Sequence, residues 1–332
     1  MKKLYFLALS IFASASLMAT QVQVKASDDL QAAVDAASKG DTVLVQAGTY
    51  EGNFTMKDGV YVSGGWNEDF TAQTKHASIL DAKANGRVLN QLANFTTLTI
   101  WDNFTIQNGK LTAIQSDKLG SGVALMKKGR VINCLIQNNT FDYSGDCMGG
   151  GLGQETGDKN DTCAINCVVR NNKGTHGGGV RIRGVILNSL AEKNTSTNNG
   201  GGIYLQAGAA YNCVIVNNTS NSGGGGVDMF GTGSLVNCLV ANNTAGNVTL
   251  NISVSGADGN KSMSGKVNIT VDGKTMQIDL DGSESIVVNL KDNITRSGNI
   301  NVTVVFNGFE SYLPSVGTIG DEILRNITVE NV

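Results

Sequence analysis

The chain has 332 residues, of which 42 are Gly, one is Pro and six are Cys, and only 16% are charged, below the about 25% usual for soluble domains. With 41% apolar residues and a net charge of −3 it is too hydrophobic and too weakly charged to stay disordered, and a single proline excludes collagen. No bulk positive field marks it for nucleic acid, and its length admits one long domain or two ordinary ones.

Lys2 and Lys3 precede an apolar run from Leu4 to Phe12, and the small residues that follow offer cleavage after Ala15 or Ala19. That order is the order of a secretory signal peptide, expected over 1–19. The run is about half the ~20 apolar residues that a membrane span needs, so no membrane insertion is expected. The mature protein is expected to be secreted or held at the cell surface, where its cysteines meet oxidising conditions.

Ser27 is placed to cap a helix with Asp28 and Asp29 in its first turn. Leu30, Ala33, Val34 and Ala37 share one face of it, and Gly40 ends it. Such a helix would cover the open end of a stack whose strands begin at Thr42 to Val45.

A repeated phrase then dominates the sequence. It reads Asn133-Cys134-Leu135-Ile136-Gln137-Asn138-Asn139 and returns from Asn166, Asn212 and Asn237, with degenerate copies from Asn103 and Asn188. Gly tracts alternate with it: Gly149-Gly150-Gly151-Leu152, then tracts ending at Val180, Ile203 and Val227. The leading Asn residues (103, 133, 166, 188, 212, 237) are separated by 30, 33, 22, 24 and 25 residues. Apolar runs this short, broken by Gly and Asn-Asn, cannot form helices but suit the coils of a solenoid. In a parallel β-helix the corners need positive φ, which Gly adopts and Asn tolerates, and stacked Asn side chains can bond along the column.

Strand alternation turns Cys134, Ile136, Cys167, Val169, Cys213, Ile215, Cys238 and Val240 to one face, a ladder of small apolar groups in a narrow interior. The rival, catalytic or metal-binding cysteine, lacks ligand spacing. Cys147 and Cys163 stand outside the phrase, in its longest step, where a disulfide between them would close a loop.

Two segments carry a family likeness. Asp29 to Val34 with Lys39 to Tyr50, followed by Val60-Tyr61-Val62-Ser63-Gly64-Gly65-Trp66 and Ile79-Leu80-Asp81, resembles the opening of pectin-lyase-like right-handed parallel β-helix proteins of exported bacterial type. The resemblance covers about 28–245 and implies an all-β solenoid over 20–245 with an N-terminal helical cap. It implies no particular activity, since the superfamily holds lyases, hydrolases and adhesins. The family's hydrolase motifs, adjacent aspartates and Gly-His-Gly, do not appear in the repeat: Asp28-Asp29 precedes it, and His176 follows Thr175.

Beyond Asn243 both phrases vanish and polar-apolar alternation takes over, as in Val267, Ile269, Val271 and in Ile300, Val302, Val304. Asp258-Gly259, Asp272-Gly273, Asp281-Gly282 and Asn307-Gly308 read as hairpin turns. A small antiparallel sandwich is expected over 246–316; Val305 to Ser315 resembles the closing strand of bacterial Ig-like repeats in adhesin-like proteins, and 317–332 is an unassigned tail.

The residues after each Gly tract are where chemistry is expected. With Val180, Ile203 and Val227 inward, Arg181, Tyr204 and Asp228 form one outward column, and Arg183, Gln206 and Phe230 form its neighbour with Glu155 at the head. Aromatic faces stack on sugars and Arg grips carboxylates, so this face is a candidate for binding a polysaccharide or surface glycan. For catalysis no residue is nominated. An inverting glycosidase needs carboxylates about 6.5–9.5 Å apart, whereas Glu155 and Asp228 lie three coils, about 14 Å, apart. A uronate lyase would use Arg181 as base beside calcium held by carboxylates such as Asp228. No cofactor is expected; Asp142, Asp146, Asp158 and Asp161 cluster in the long insertion, where calcium is conceivable, but their spacing matches no calcium loop and reads as a solvated turn. The expected function is adhesin-like glycan binding without catalysis; the alternatives are a polysaccharide lyase or glycoside hydrolase, and a structural envelope protein.

Overall fold

The structure, a computed structural model, describes residues 19–91, 93–113, 117–143, 145–155, 161–245, 249–255, 264–271, 273–281, 286–289, 302–306, 315–319 and 327–330. The expected signal peptide, apart from Ala19, lies outside them.

From Gln21 to Ala245 the chain winds through four parallel sheets of nine, eight, six and seven strands, here called I, II, III and IV. One winding runs Gly129–Ile132 in I, Leu135–Gln137 in II, Thr140–Phe141 in III and Leu152–Gln154 in IV, then returns to I at Thr162–Ile165. This is the architecture of a parallel β-helix. Sheet III begins at Lys110–Leu111, so the first windings are three-sided.

The corners follow from backbone chemistry. The leading Asn of each phrase is left-handed, with φ of 51° at Asn133 and 53° at Asn166, and so is the first Asn of each Asn-Asn pair, as at Asn138 and Asn171. The second Asn of the pair points inward. Asn139, Asn172, Asn194 and Asn218 are buried and bond one above the next. The Asn139 backbone N–H and Nδ2 both donate to Asn172 Oδ1 at 3.0 Å, and the same pair of bonds recurs down to Asn243. Each Nδ2 also donates to a carbonyl of the preceding winding, Asn172 to Ile136 at 3.0 Å. A second ladder, of the leading Asn, runs along the outside, with Asn237 donating to Asn212 at 2.8 Å.

Inside, equivalent positions stack in register: Val62, Trp101, Val131, Ala164, Ile186 and Ala210 in sheet I, and Leu80, Ile106, Ile136, Val169, Ala191 and Ile215 in sheet II. Trp101 fills the early interior, its ring 5.3 Å from Phe104 and 6.3 Å from Phe54. Later windings substitute thiols. Cys134, Cys167 and Cys213 are buried as expected, whereas Cys238 and Val240 lie in the last winding, where Val240 is 38% exposed. Burial pushes the Cys167 thiol up to about 12 and that of Cys213 to about 11, so neither is a ready nucleophile.

Two expectations need correction, and one element is new. Cys147 and Cys163 are not bonded: both are free and buried, Cys163 in the main core and Cys147 in a separate cluster with Leu111 and Phe141. Their sequence neighbourhood is shared, but Cys163 enters the main core from the strand Thr162–Ile165, whereas Cys147 lies in the insertion and packs beneath it. The helix is Leu30–Ala36 and its cap is Asp29, which accepts from Ala32 N at 3.0 Å. Ser27 cannot take that role because it sits in a turn closed by Asp28 N donating to Lys25 O. A strand at Gln21–Val24, unforeseen, pairs in parallel with Thr42–Gln46 and shares the capping of sheet I.

After Ala245 the strands become longer. Ser264–Val271 pairs antiparallel with Lys274–Asp281 and with Val302–Phe306, which pairs with Ser315–Ile319. Thr249–Ser255 pairs antiparallel with Ile286–Asn289 and parallel with Ile327–Glu330, so part of the unassigned tail is a sheet strand. Val267, Ile269 and Val271 are buried, as their alternation requires, and Gly273 turns the hairpin at φ 80°. The expected turns at Asp258-Gly259 and Asn307-Gly308, and Ile300, lie outside the described residues. Among the described residues no helix is long and apolar enough to cross a membrane.

Candidate functional site

Sheet IV assembles the two expected columns. Gly153, Arg181, Tyr204 and Asp228 are in-register partners, and Gln206 pairs with Phe230 one column over. Glu155 and Arg183 join that second column through contacts: Arg183 Nη2 lies 3.7 Å from Glu155 Oε1, and its Nε donates to Gln206 Oε1 at 3.3 Å.

Arg181 is not where a ligand could grip it. It points away from the core yet is only 1% exposed. Its Nη1 donates to Glu155 Oε2 and to the Gln154 carbonyl, both at 2.6 Å, and its Nη2 donates to Gln206 Oε1. Burial lowers the guanidinium pKa, and the Glu155 charge opposes that. Both expected roles for Arg181, carboxylate clamp and lyase base, are therefore corrected. Its terminal nitrogens are already occupied, and the adjoining carboxylate holds its proton in place. What Arg181 does is position Glu155 and Gln206. The Gln206 carbonyl oxygen accepts from both arginines.

Around this clamp the surface is amphipathic. Phe230 is 62% exposed and Arg183 is half-buried, while the Tyr204 ring packs on His176 at 5.5 Å between centroids. Burial raises the Tyr204 phenol pKa, with the nearby Asp228 charge adding to it. Asp228 is itself raised, first by burial, against the opposing influence of the Gly224 backbone and His176. Glu155 and Asp228 stand at three strand steps, about 14 Å, as the register implies.

His176 belongs to no Gly-His-Gly motif, and nothing in the sequence nominates it for this site. The structure gives it a place through the end of Lys173–His176, one residue before the Gly tract, with Asp146 Oδ1 3.7 Å from Nε2 and with Nδ1 buried and unpartnered. No sequence spacing signals this, because the contact is made between windings.

The insertion aspartates do not converge. Asp142 pairs with Lys110 at 3.3 Å, Asp146 lies by Lys118 and His176, and Asp161 accepts from Lys128 N at 2.9 Å. Asp158 lies outside the described residues. Among the described residues no group of three His, Cys, Asp or Glu side chains is arranged to hold a metal ion.

The class that the fold defines is a repeat protein with parallel β-helix architecture and a polar, aromatic-edged strip on sheet IV. Comparison with protein-family models, curated proteins and solved structures gave no match.

Proposed function

We propose that this is a secreted or surface-displayed, adhesin-like protein that binds glycan on sheet IV of a right-handed, pectin-lyase-like β-helix, without cleaving it, and carries an Ig-like sandwich after residue 245. The observation that supports this reading is the buried Arg181, which fixes Glu155 and Gln206 beside Tyr204, Arg183 and Phe230. A buried cation is costly, and here it lends rigidity to hydrogen-bonding groups at an aromatic surface, as sugar recognition requires.

On a broad glycan array the purified chain is expected to retain a subset of acidic or neutral glycans. Tyr204→Ala and Arg183→Ala should each weaken retention about tenfold, the loss of one interaction worth about 1.4 kcal/mol. Product analysis should find no unsaturated or reducing ends. If neither substitution alters retention of any glycan, the strip is not the binding face and a structural envelope role takes its place.

A second reading, a polysaccharide lyase or hydrolase, is favoured by one feature: Asp228, with its raised pKa, beside the Tyr204–His176 stack. Release of unsaturated uronates by elimination, or of saturated fragments with new reducing ends by hydrolysis, abolished by Asp228→Asn, would establish that reading instead.

A further inference from the structure

The long insertion builds a second concave surface, on sheet III, that the sheet IV reading does not use. Phe141 turns inward and, with Leu111 and Cys147, forms a small core of its own. Two bonds tie the insertion down over it: Asp142 N donates to the Leu111 carbonyl at 2.8 Å, and Thr175 Oγ1 donates to the Gly145 carbonyl at 2.7 Å. Tyr143, held between those anchors, meets Phe141 edge-on at 6.3 Å and 77°. It nevertheless remains 53% exposed. Phe141, Asp142, Tyr143, Lys173, Gly174 and Thr197 line an open cavity of about 330 Å³. That volume lies in the range of small-molecule sites.

The charges around it are unequal. Lys110, Thr140 and Lys173 are stacked in register, which sets the two lysines two strand steps, about 10 Å, apart. Asp142 neutralises Lys110 at 3.3 Å. Lys173 has no ion pair among the described residues, so the cavity wall carries one uncompensated positive charge.

We infer that this cavity is a binding site for a sugar ring bearing an anionic substituent, a carboxylate or a sulfate. The Tyr143 ring supplies the platform for the C–H face of the sugar, and the Lys173 ammonium meets the anion. Thr197 and Asp142 exchange hydrogen bonds with ring hydroxyls. An aromatic face next to a lone ammonium and a carboxylate suits a ring that is apolar on one side and charged at its edge. A purely apolar ligand would leave Lys173 unpaired, and a simple inorganic anion would make no use of Tyr143. The inference stands apart from the sheet IV reading, because the two sites share no residue.

The test is titration calorimetry of the full chain with three probes of equal length: an oligogalacturonate, a sulfated galactan oligosaccharide and a neutral galactan oligosaccharide. At least one anionic probe is expected to bind ten times more tightly than the neutral one, and to weaken as salt is raised. Tyr143→Ala and Lys173→Met should each reduce that affinity tenfold or more, with the far-ultraviolet spectrum unchanged. Tyr204→Ala should leave it unaltered. Comparing the carboxylate and sulfate probes decides which anion is preferred. Equal affinity for charged and neutral probes, absence of binding by all three, or binding indifferent to Tyr143→Ala and Lys173→Met would overturn the assignment. If binding is lost in Tyr204→Ala but kept in the other two, the sheet IV face alone is the glycan site.

Discussion

Asn172→Ala is expected to destabilise the protein by about 3–5 kcal/mol, because it strands two buried backbone groups of the preceding winding. The side chain is 1% exposed. Its Oδ1 accepts from the Asn139 backbone and side chain, and its Nδ2 donates to Ile136 O and Asn194 Oδ1. Alanine leaves the Asn139 N–H and the Ile136 carbonyl in a water-free interior, each at about 1–3 kcal/mol. The comparison is Asn166→Gly in the same winding. Asn166 also bonds along a ladder, at 3.3 Å, but it does so in solvent, and glycine accepts its φ of 53°. That change should cost about 0.5 kcal/mol or less. Urea unfolding of the two variants reads the difference directly. Equal effects would mean that the inner ladder contributes no more than the outer one.

Gly201→Ala is the second large effect. A methyl group there would lie 2.2 Å from Gly225 O and 2.5 Å from Thr219 O, both backbone atoms of the next winding. Neither can move without opening the bonds that join the windings, including Gly201 N to Gly224 O at 3.1 Å. The cost should reach the top of the about 1–3 kcal/mol range for overpacking, or exceed it. Gly231→Ala provides the contrast, because its φ is 79° but its nearest neighbour is Ala207 Cβ at 3.9 Å. It should lose only the about 1–2 kcal/mol of a left-handed alanine. Thermal denaturation separates the cases, and a Gly201→Ala protein as stable as Gly231→Ala would show that the windings are not in such close contact.

The solenoid was legible because its physics repeats. Each Asn-Cys phrase carries a left-handed corner, a strand of alternating burial and a second corner, so Asn133, Asn166, Asn212 and Asn237 announce the same geometry four times. Even the degenerate copy at Asn188 keeps Asn194 in the ladder, while Lys193 takes the left-handed φ of 53° that Asn holds elsewhere. The columns of sheet IV were legible for the same reason. Their chemistry was not. Alternation assigns Arg181 to the outer face, but it cannot reveal that Glu155 and Gln206, from the windings on either side, close over it. Nor could it show that Cys147 and Cys163 enter different cores, since the insertion between them departs from the repeat. The cavity beside Tyr143 arises from that same insertion, which has no second copy to be compared with.

The most direct test of the winding itself is disulfide trapping on sheet II, where Arg170, Glu192 and Val216 are successive in-register partners. Neighbouring strands lie about 4.8 Å apart, inside the span a disulfide bridges, and second neighbours about 9.6 Å apart, outside it. Under mild oxidation Arg170→Cys with Glu192→Cys is expected to cross-link within the chain, and Arg170→Cys with Val216→Cys is expected to stay reduced. Cross-linking of the second pair in preference to the first would contradict the stacked register from which both proposed sites derive.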